Sequence, residues 1–228
     1  MKPDAMFEEA RNSWMKEVTR AQLEYPDENV VRFIASRRRI KDNARLLDFG
    51  CGAGRHSVAA TKMGYRVTAM DCNSECIDMT FKRIKDNFGI EIPTMKNEYA
   101  DVPSADKSFD YIVSWGTIFC NKKSACIEIM EEFNRVLDDG GEVFADWRTQ
   151  DDYLYGCGQE IEKDFFHLDE SSGRPGFLYY FPSLETIKDI YSEGGFEVTN
   201  VEKYEFTQLN MTRLNSWYHV TAKKIREV

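Results

Sequence analysis

Three glycines spaced by two, Gly50, Gly52 and Gly54, follow Asp48 in the stretch "LLDFGCGAGRHS". Glycine tolerates left-handed backbone and lets another molecule approach the main chain, so this spacing reads as a cradle. Leu46, Leu47 and Phe49 before it read as a buried strand, and the polar run after it as the start of a helix. Further on, "YRVTAMD" reads as a second strand that closes on Asp71. In open parallel sheets, ligands bind beyond the carboxyl ends of the strands. A glycine turn and a carboxylate at adjoining strand ends therefore share one crevice, where Asp71 can accept hydrogen bonds from both hydroxyls of a ribose. That chemistry is the binding of a nucleoside-containing cofactor. The dinucleotide fingerprint GxGxxG needs a third glycine at position 55, where this chain has Arg55, so a nicotinamide dehydrogenase is the weaker reading.

The elements that position these residues alternate along the chain. Two helices come first. Phe7, Ala10, Trp14, Val18 and Ala21 recur at helical spacing, then "YPDE" breaks the pattern with Pro26 and a cap at Asp27, and "NVVRFIASRRR" follows. After the glycine turn come a helix closed by Gly64, the strand ending at Asp71, and a helix capped by Ser74 and closed by Gly89. A weak strand "IPTMKNE" and a strong one "SFDYIVSWG" follow. "SACIEIMEEFNRVLDDGG" reads as a helix ending in its glycine pair, and "EVFADW" as the next strand. Residues 148–182 carry no clear period but eight aromatics, and an aromatic-rich connection after a strand end reads as functional rather than slack. A helix over "SLETIKDIYSEGG" and two closing strands complete the pattern. Repeated βα units predict a Rossmann-like, doubly wound, mostly parallel seven-stranded α/β sheet. The expected organisation is an N-terminal helical cap over residues 1–43 and a cofactor-binding domain over 44–228, with 148–182 as an aromatic lid.

Composition narrows the function classes. A chain of 228 residues with net charge −9 is long enough for one sizeable core, and its charge opposes whole-surface attraction to nucleic acid or anionic membrane. The exception is "RFIASRRRIKDNAR" (32–45), whose basic residues read as a solvated helix end or as a patch for RNA phosphate. The longest uncharged run, Tyr111 to Asn121, is too short to span a bilayer, and the N-terminus lacks a signal-peptide core, so a cytoplasmic protein is expected. Six cysteines without a CxxC pair and three scattered histidines predict reduced thiols and no metal site.

"LLDFGCGAGRHS", "VTAMDCNSECIDMT", "SFDYIVSWGTIF" and "RVLDDGGEVFADW" come in an order and spacing that resemble the class I S-adenosylmethionine-dependent methyltransferases, across roughly residues 44–147. "FPSLETIKDIYSEGGFEV" and the closing strands resemble the tail of that family. The resemblance implies an enzyme of EC 2.1.1 type that uses S-adenosyl-L-methionine and releases S-adenosyl-L-homocysteine. It implies that Asp48 and the turn Gly50, Cys51, Gly52 and Gly54 hold the methionine end, and that Asp71 holds the ribose with Cys72 near the adenine. With Pro103 taken as the family's proline, Glu98 would meet the adenine amine and the Tyr99 backbone its ring, with Asp101 the rival in another register. Ser114 and Trp115 would border the sulfonium.

Methyl transfer to oxygen or nitrogen often needs a base for the acceptor's proton. His167, in the expected lid, is the candidate ahead of His56 and His219. Asp146 and Arg148 at the fifth strand's end, with Trp147, Tyr153 and Tyr180, are the expected substrate contacts. The family's (Asn/Asp)-Pro-Pro-aromatic signature for amino methylation of adenine or glutamine is replaced by "SWGT", and the Pro-Cys of cytosine C5 enzymes is absent there. A small-molecule O- or N-acceptor is therefore the leading expectation, acted on by a monomer or homodimer. An RNA methyltransferase using the 32–45 patch and a catalytically silent cofactor-binding regulator are the alternatives.

Overall fold

Leu46, Leu47, Asp48 and Phe49 are all buried, as a strand covered on both faces requires. In this computed structural model, which describes residues 3–97 and 100–225, they form β1 (Arg45–Phe49) at the centre of the sheet. Helices α1 (Pro3–Ala21) and α2 (Glu28–Arg38) precede it. Asp27 caps α2 as expected, its side chain accepting from the Asn29 N–H at 2.8 Å. Then come α3 (Arg55–Lys62), β2 (Arg66–Asp71), α4 (Ser74–Phe88), β3 (Thr94–Lys96), β4 (Phe109–Ser114), α5 (Lys123–Val136) and β5 (Leu137–Arg148). Short strands β6 (Gln159–Glu162), β7 (Phe165–His167) and β8 (Leu178–Tyr180) follow, then α6 (Leu184–Glu193), β9 (Phe196–Gln208) and β10 (Arg213–Lys224).

The main sheet runs β3-β2-β1-β4-β5-β10-β9. Its first five strands are parallel, and β10 and β9 close it antiparallel. This is the doubly wound, mostly parallel seven-stranded sheet read from the sequence. Side chains alternate between two cores. Leu46, Val67, Tyr111 and Phe144 pack with Phe33 and Ile34 of α2. Leu47, Ile112, Val143 and Trp147 pack with α5, α6 and the β6–β8 layer.

Three local expectations change. Ser74 is not the cap of α4: it is the first helical residue, and Asn73 holds the cap position without a side-chain bond. Helix α5 stops at Val136 rather than at the glycine pair, because Leu137 already pairs with Phe109 of β4 and the glycines lie in an irregular stretch of β5. The connection 148–182 is not irregular: β6, β7 and β8 form an antiparallel sheet of their own. Phe165, Phe166, Phe177, Tyr179, Tyr180 and Phe181 of this connection are buried.

Strand parity corrects one expected substrate contact here. Along β5, Asp146 and Arg148 face one way and Trp147 the other. Trp147 is fully buried, its ring edge-on to Tyr191 at 6.2 Å and its Nε1 donating to the Tyr191 hydroxyl at 3.3 Å. Its role is packing. Trp147→Ala is expected to cost about 3–5 kcal/mol of stability, read as a lowered midpoint in urea, while S-adenosylhomocysteine affinity of the folded fraction changes little.

Candidate active site

The carboxyl ends of β1, β2, β4 and β5 open into one cavity of about 1070 Å³, which α1 borders on another side. Small-ligand pockets usually span about 300–1,000 Å³, so this one has room for a nucleoside cofactor and a second molecule.

The glycine turn forms one wall. Gly50, Gly52 and Gly54 all have left-handed φ, of 76°, 53° and 82°. The Gly50 and Cys51 N–H groups both donate to the Met70 carbonyl, at 2.8 and 2.9 Å, which binds the turn to the end of β2. A Cβ at Gly50 would lie 2.0 Å from the Thr117 Oγ1, so glycine is required there by space as well as by φ. Asp71 fastens the same turn: its Oδ2 accepts from the Gly52 N–H and its Oδ1 from the Asn73 N–H, both at 2.9 Å. Burial pushes the Asp71 carboxyl up, and these two N–H bonds oppose the shift. Each carboxylate oxygen keeps further acceptor capacity for a ligand hydroxyl.

The expected cofactor residues divide. Gly50, Cys51, Gly52, Asp71, Cys72 and Trp115 border the cavity. Asp48 and Gly54 lie behind it. Asp48 accepts from the Ser57 hydroxyl at 2.5 Å, and burial pushes its carboxyl up to about 6 despite that bond. It braces the first turn of α3 from beneath the cradle. Ser114 is fully buried and away from the lining, whereas Trp115 stacks on Phe144 at 5.5 Å and meets His219 at 4.8 Å. Glu98 and Tyr99 lie outside the described residues, and the neighbouring Asn97 borders the cavity.

The histidines change roles. His167, the expected base, does not reach the cavity. It sits on β7 with Nε2 at 3.3 Å from a Glu9 carboxylate oxygen of α1. His56 borders the cavity, but its Nε2 accepts the Asp27 backbone N–H at 3.2 Å, and burial holds its pKa well below the usual histidine range. It is a neutral brace for the start of α2.

At the end of β5 the cavity presents the carboxyl of Asp146. It is 2 % exposed, and it accepts the Gly116 N–H at 2.6 Å. Burial pushes its carboxyl up to about 7, with the Gly116 bond and the Arg148 charge opposing. A carboxyl poised there can accept a proton near neutral pH.

Of the expected substrate contacts, Arg148 borders the cavity, and Trp147, Tyr153 and Tyr180 do not. Tyr153 lies partly buried beneath the Arg213 guanidinium, 5.1 Å from its ring. Tyr180 faces Phe165, its partner across β7–β8, and its neighbour Tyr179 reaches the cavity because successive strand residues point to opposite faces. Arg174, Trp217 and the α1 residues Arg11 and Trp14 also border the cavity and were not foreseen. The only signals for them were basic and aromatic types in segments whose docking no local pattern encodes. Arg55, noted in the sequence only as a break in the dinucleotide pattern, lines the cavity from the first residue of α3 and offers a cation to a ligand carboxylate.

The basic stretch 32–45 is engaged within the molecule. Arg37 pairs with Glu142 at 2.8 Å, Arg38 with Asp42, Lys41 with Asp110 at 2.8 Å, and Arg45 with both Asp110 and Asp138 at 2.7 and 2.9 Å. These contacts reduce what the stretch can offer to RNA phosphates. No helix among the described residues is long and apolar enough to cross a membrane.

A parallel sheet with a glycine cradle after β1 and a carboxylate after β2 defines a nucleoside-binding α/β fold, and the comparisons agree with it. Residues 46–141 match the family described as methyltransferase domain. The chain is 23% identical over 209 residues to an uncharacterized methyltransferase of Geobacillus sp. (strain WCH70), covering 88% of this chain and 92% of that one. Among solved structures it is similar in fold to a SAM-dependent methyltransferase of Methanosarcina mazei, with a TM-score of 0.70 at 20% identity over 85% of this chain and 98% of the other. It is also similar in fold to the Burkholderia thailandensis 1,6-didemethyltoxoflavin-N1-methyltransferase with bound 1,6-didemethyltoxoflavin and S-adenosylhomocysteine, with a TM-score of 0.73 at 15% identity over 99% of this chain and 92% of that one. Residues 46–141 thus match the methyltransferase domain family, within a fold the chain shares with S-adenosylmethionine-dependent methyltransferases.

Proposed function

We propose that this enzyme methylates an oxygen or nitrogen of a small molecule enclosed between α1, the strand ends and the β6–β8 layer. The observation that carries this reading is the cavity itself: about 1070 Å³, bordered by the glycine cradle at one side and by Arg148, Arg174, Tyr179 and Trp217 at another. A cavity shared by a cofactor cradle and a second set of polar and aromatic side chains suits a second small ligand better than an open nucleic-acid track. Helix α1 and residues 148–182 supply its cover, as the proposed cap and lid.

S-adenosylmethionine, when bound, supplies a methyl group activated by its sulfonium sulfur. The residues that would hold it are the Gly50–Gly52 turn, Asp71 at the ribose, Cys72 near the adenine and Arg55 at the amino-acid carboxylate. Trp115 would border the sulfonium. Asp146, in its ionised form, takes up the proton that the acceptor oxygen or nitrogen gives up, and the buried walls keep water out. Proton uptake of this kind by a placed side chain contributes about 10²–10⁴-fold to rate.

The test is transfer of label from methyl-labelled S-adenosylmethionine into cell extract, separated into small molecules, RNA and protein. Label is expected in the small-molecule fraction. Label confined to RNA or protein would replace this reading with a macromolecular acceptor.

A further inference from the structure

The corner of the cavity farthest in sequence from the glycine turn holds two guanidinium groups around one tyrosine. Arg148 is 5 % exposed and its guanidinium carbon lies 3.9 Å from the Trp217 ring centre and 5.1 Å from that of Tyr179. Arg174 approaches the same tyrosine from another side, its Nη1 donating to the Tyr179 hydroxyl at 3.4 Å. Burial raises the Tyr179 hydroxyl to about 12, so it stays neutral.

The hydrogen bonds of Arg148 are incomplete. Its Nη1 donates to the Asp152 Oδ2 at 2.8 Å. Asp152 is itself held by the Leu154 and Ser216 backbone N–H groups, both at 3.0 Å. The Arg148 Nε is buried and has no hydrogen-bond partner among the described residues. A guanidinium has five donors in a rigid fork, and a buried donor left unpaired costs about 1–3 kcal/mol. Arg174 has no carboxylate oxygen within 4.0 Å among the described residues, although the Glu17 charge acts on it from farther off. Cation-rich, bordered by aromatic rings and with one buried donor of Arg148 unpaired, this corner suits a flat anion with two oxygens. A carboxylate has that shape and matches an arginine fork in a bidentate way. The cavity around it is lined by apolar groups such as Phe7, Ala10, Trp14 and Phe119.

Resting on the small-molecule reading above, we infer that the acceptor is an organic acid with an apolar body, anchored through its carboxylate by Arg148 and Arg174 against Tyr179 and methylated at another atom. Arg148 keeps its Asp152 partner and adds the ligand through the Nε edge of its fork. Arg174 supplies the second charge. The carboxylate thereby fixes which end of the acceptor is turned away from the methyl donor.

The probes are benzoate, cinnamate and indole-3-acetate, each paired with its primary amide. Binding to the full-length protein saturated with S-adenosylhomocysteine is measured by titration calorimetry at pH 7. At least one acid is expected to bind tenfold or more tighter than its amide. Arg174→Gln is expected to reduce that preference to threefold or less while changing S-adenosylhomocysteine affinity less than twofold. The conservative Arg174→Lys keeps part of the preference. Equal binding of acids and amides, no binding of any acid, or an undiminished preference in Arg174→Gln would overturn the inference. Failure of this inference and failure of the broader reading are separable. Methyl label found in a small molecule that lacks an acid group removes the carboxylate anchor alone, and label confined to RNA or protein removes the small-molecule reading itself.

Discussion

Asp146→Asn is expected to lower kcat/KM about 10²–10⁴-fold, the span of a lost proton acceptor, with S-adenosylhomocysteine affinity changed less than threefold. The asparagine keeps the size of the side chain and can still accept the Gly116 N–H that Asp146 accepts at 2.6 Å, so the loop after β4 stays in place. What it cannot do is take up a proton. The wild-type rate should therefore rise with pH and level off above about 7, where burial has set the Asp146 carboxyl, and the variant should lose that limb. A flat wild-type profile across pH 5.5–8, or a variant with undiminished rate, removes Asp146 from the chemistry. Stability gives an independent readout with a definite sign. The folded Asp146 binds its proton more tightly than the unfolded chain does, so between about pH 4 and about pH 7 the native state holds more protons. Unfolding free energy then falls as pH rises through that window. Asp146→Asn removes this share of the fall. Asp48, raised to about 6 by burial, keeps its own share of the same sign.

Asp71→Asn is expected to weaken S-adenosylhomocysteine binding about 10- to 100-fold, the equivalent of about 1.5–3 kcal/mol for hydrogen bonds to a charged group. Two effects act together. A carboxylate proposed to accept from ribose hydroxyls becomes an amide with one acceptor oxygen. That single oxygen must also serve the Gly52 and Asn73 N–H groups, which the two Asp71 oxygens now serve separately. An NH₂ facing the Gly52 N–H loosens the turn that fits the cofactor. Thermal denaturation with and without S-adenosylhomocysteine separates these effects: the shift on adding ligand should shrink far more than the ligand-free midpoint. An unchanged ligand shift would take the ribose role away from Asp71.

The cradle was legible because its cause is local. Gly50 and Gly52 adopt left-handed φ, Leu46 to Phe49 form a strand buried on both faces, and Asp71 ends the next strand, all within segments that set their own conformation. The βα alternation then determined the sheet, since parallel strands need helical crossovers and their carboxyl ends must gather on one edge.

Tertiary structure decided everything that depends on which face a residue turns to. A strand residue and its neighbour point in opposite directions, so the choice of Tyr179 over Tyr180, and of Asp146 and Arg148 over Trp147, waits on what covers each face. In β5 that was α6, whose Tyr191 takes Trp147. The β6–β8 layer was hidden for a related reason: its strands are three or four residues long, too short to display a period, and they exist because they pair with one another. His167 lay in an aromatic loop by sequence but sits on β7 beside Glu9 of α1, outside the cavity lining. The sequence by itself determined a methyltransferase fold and its cofactor cradle, because backbone conformation and strand order are encoded over short spans. The proposed acceptor end, drawn from β5, β8, β10, α1 and the loop at Arg174, was decided only when distant segments packed, because rings such as Phe119 and Trp217 meet Arg148 only in the folded chain.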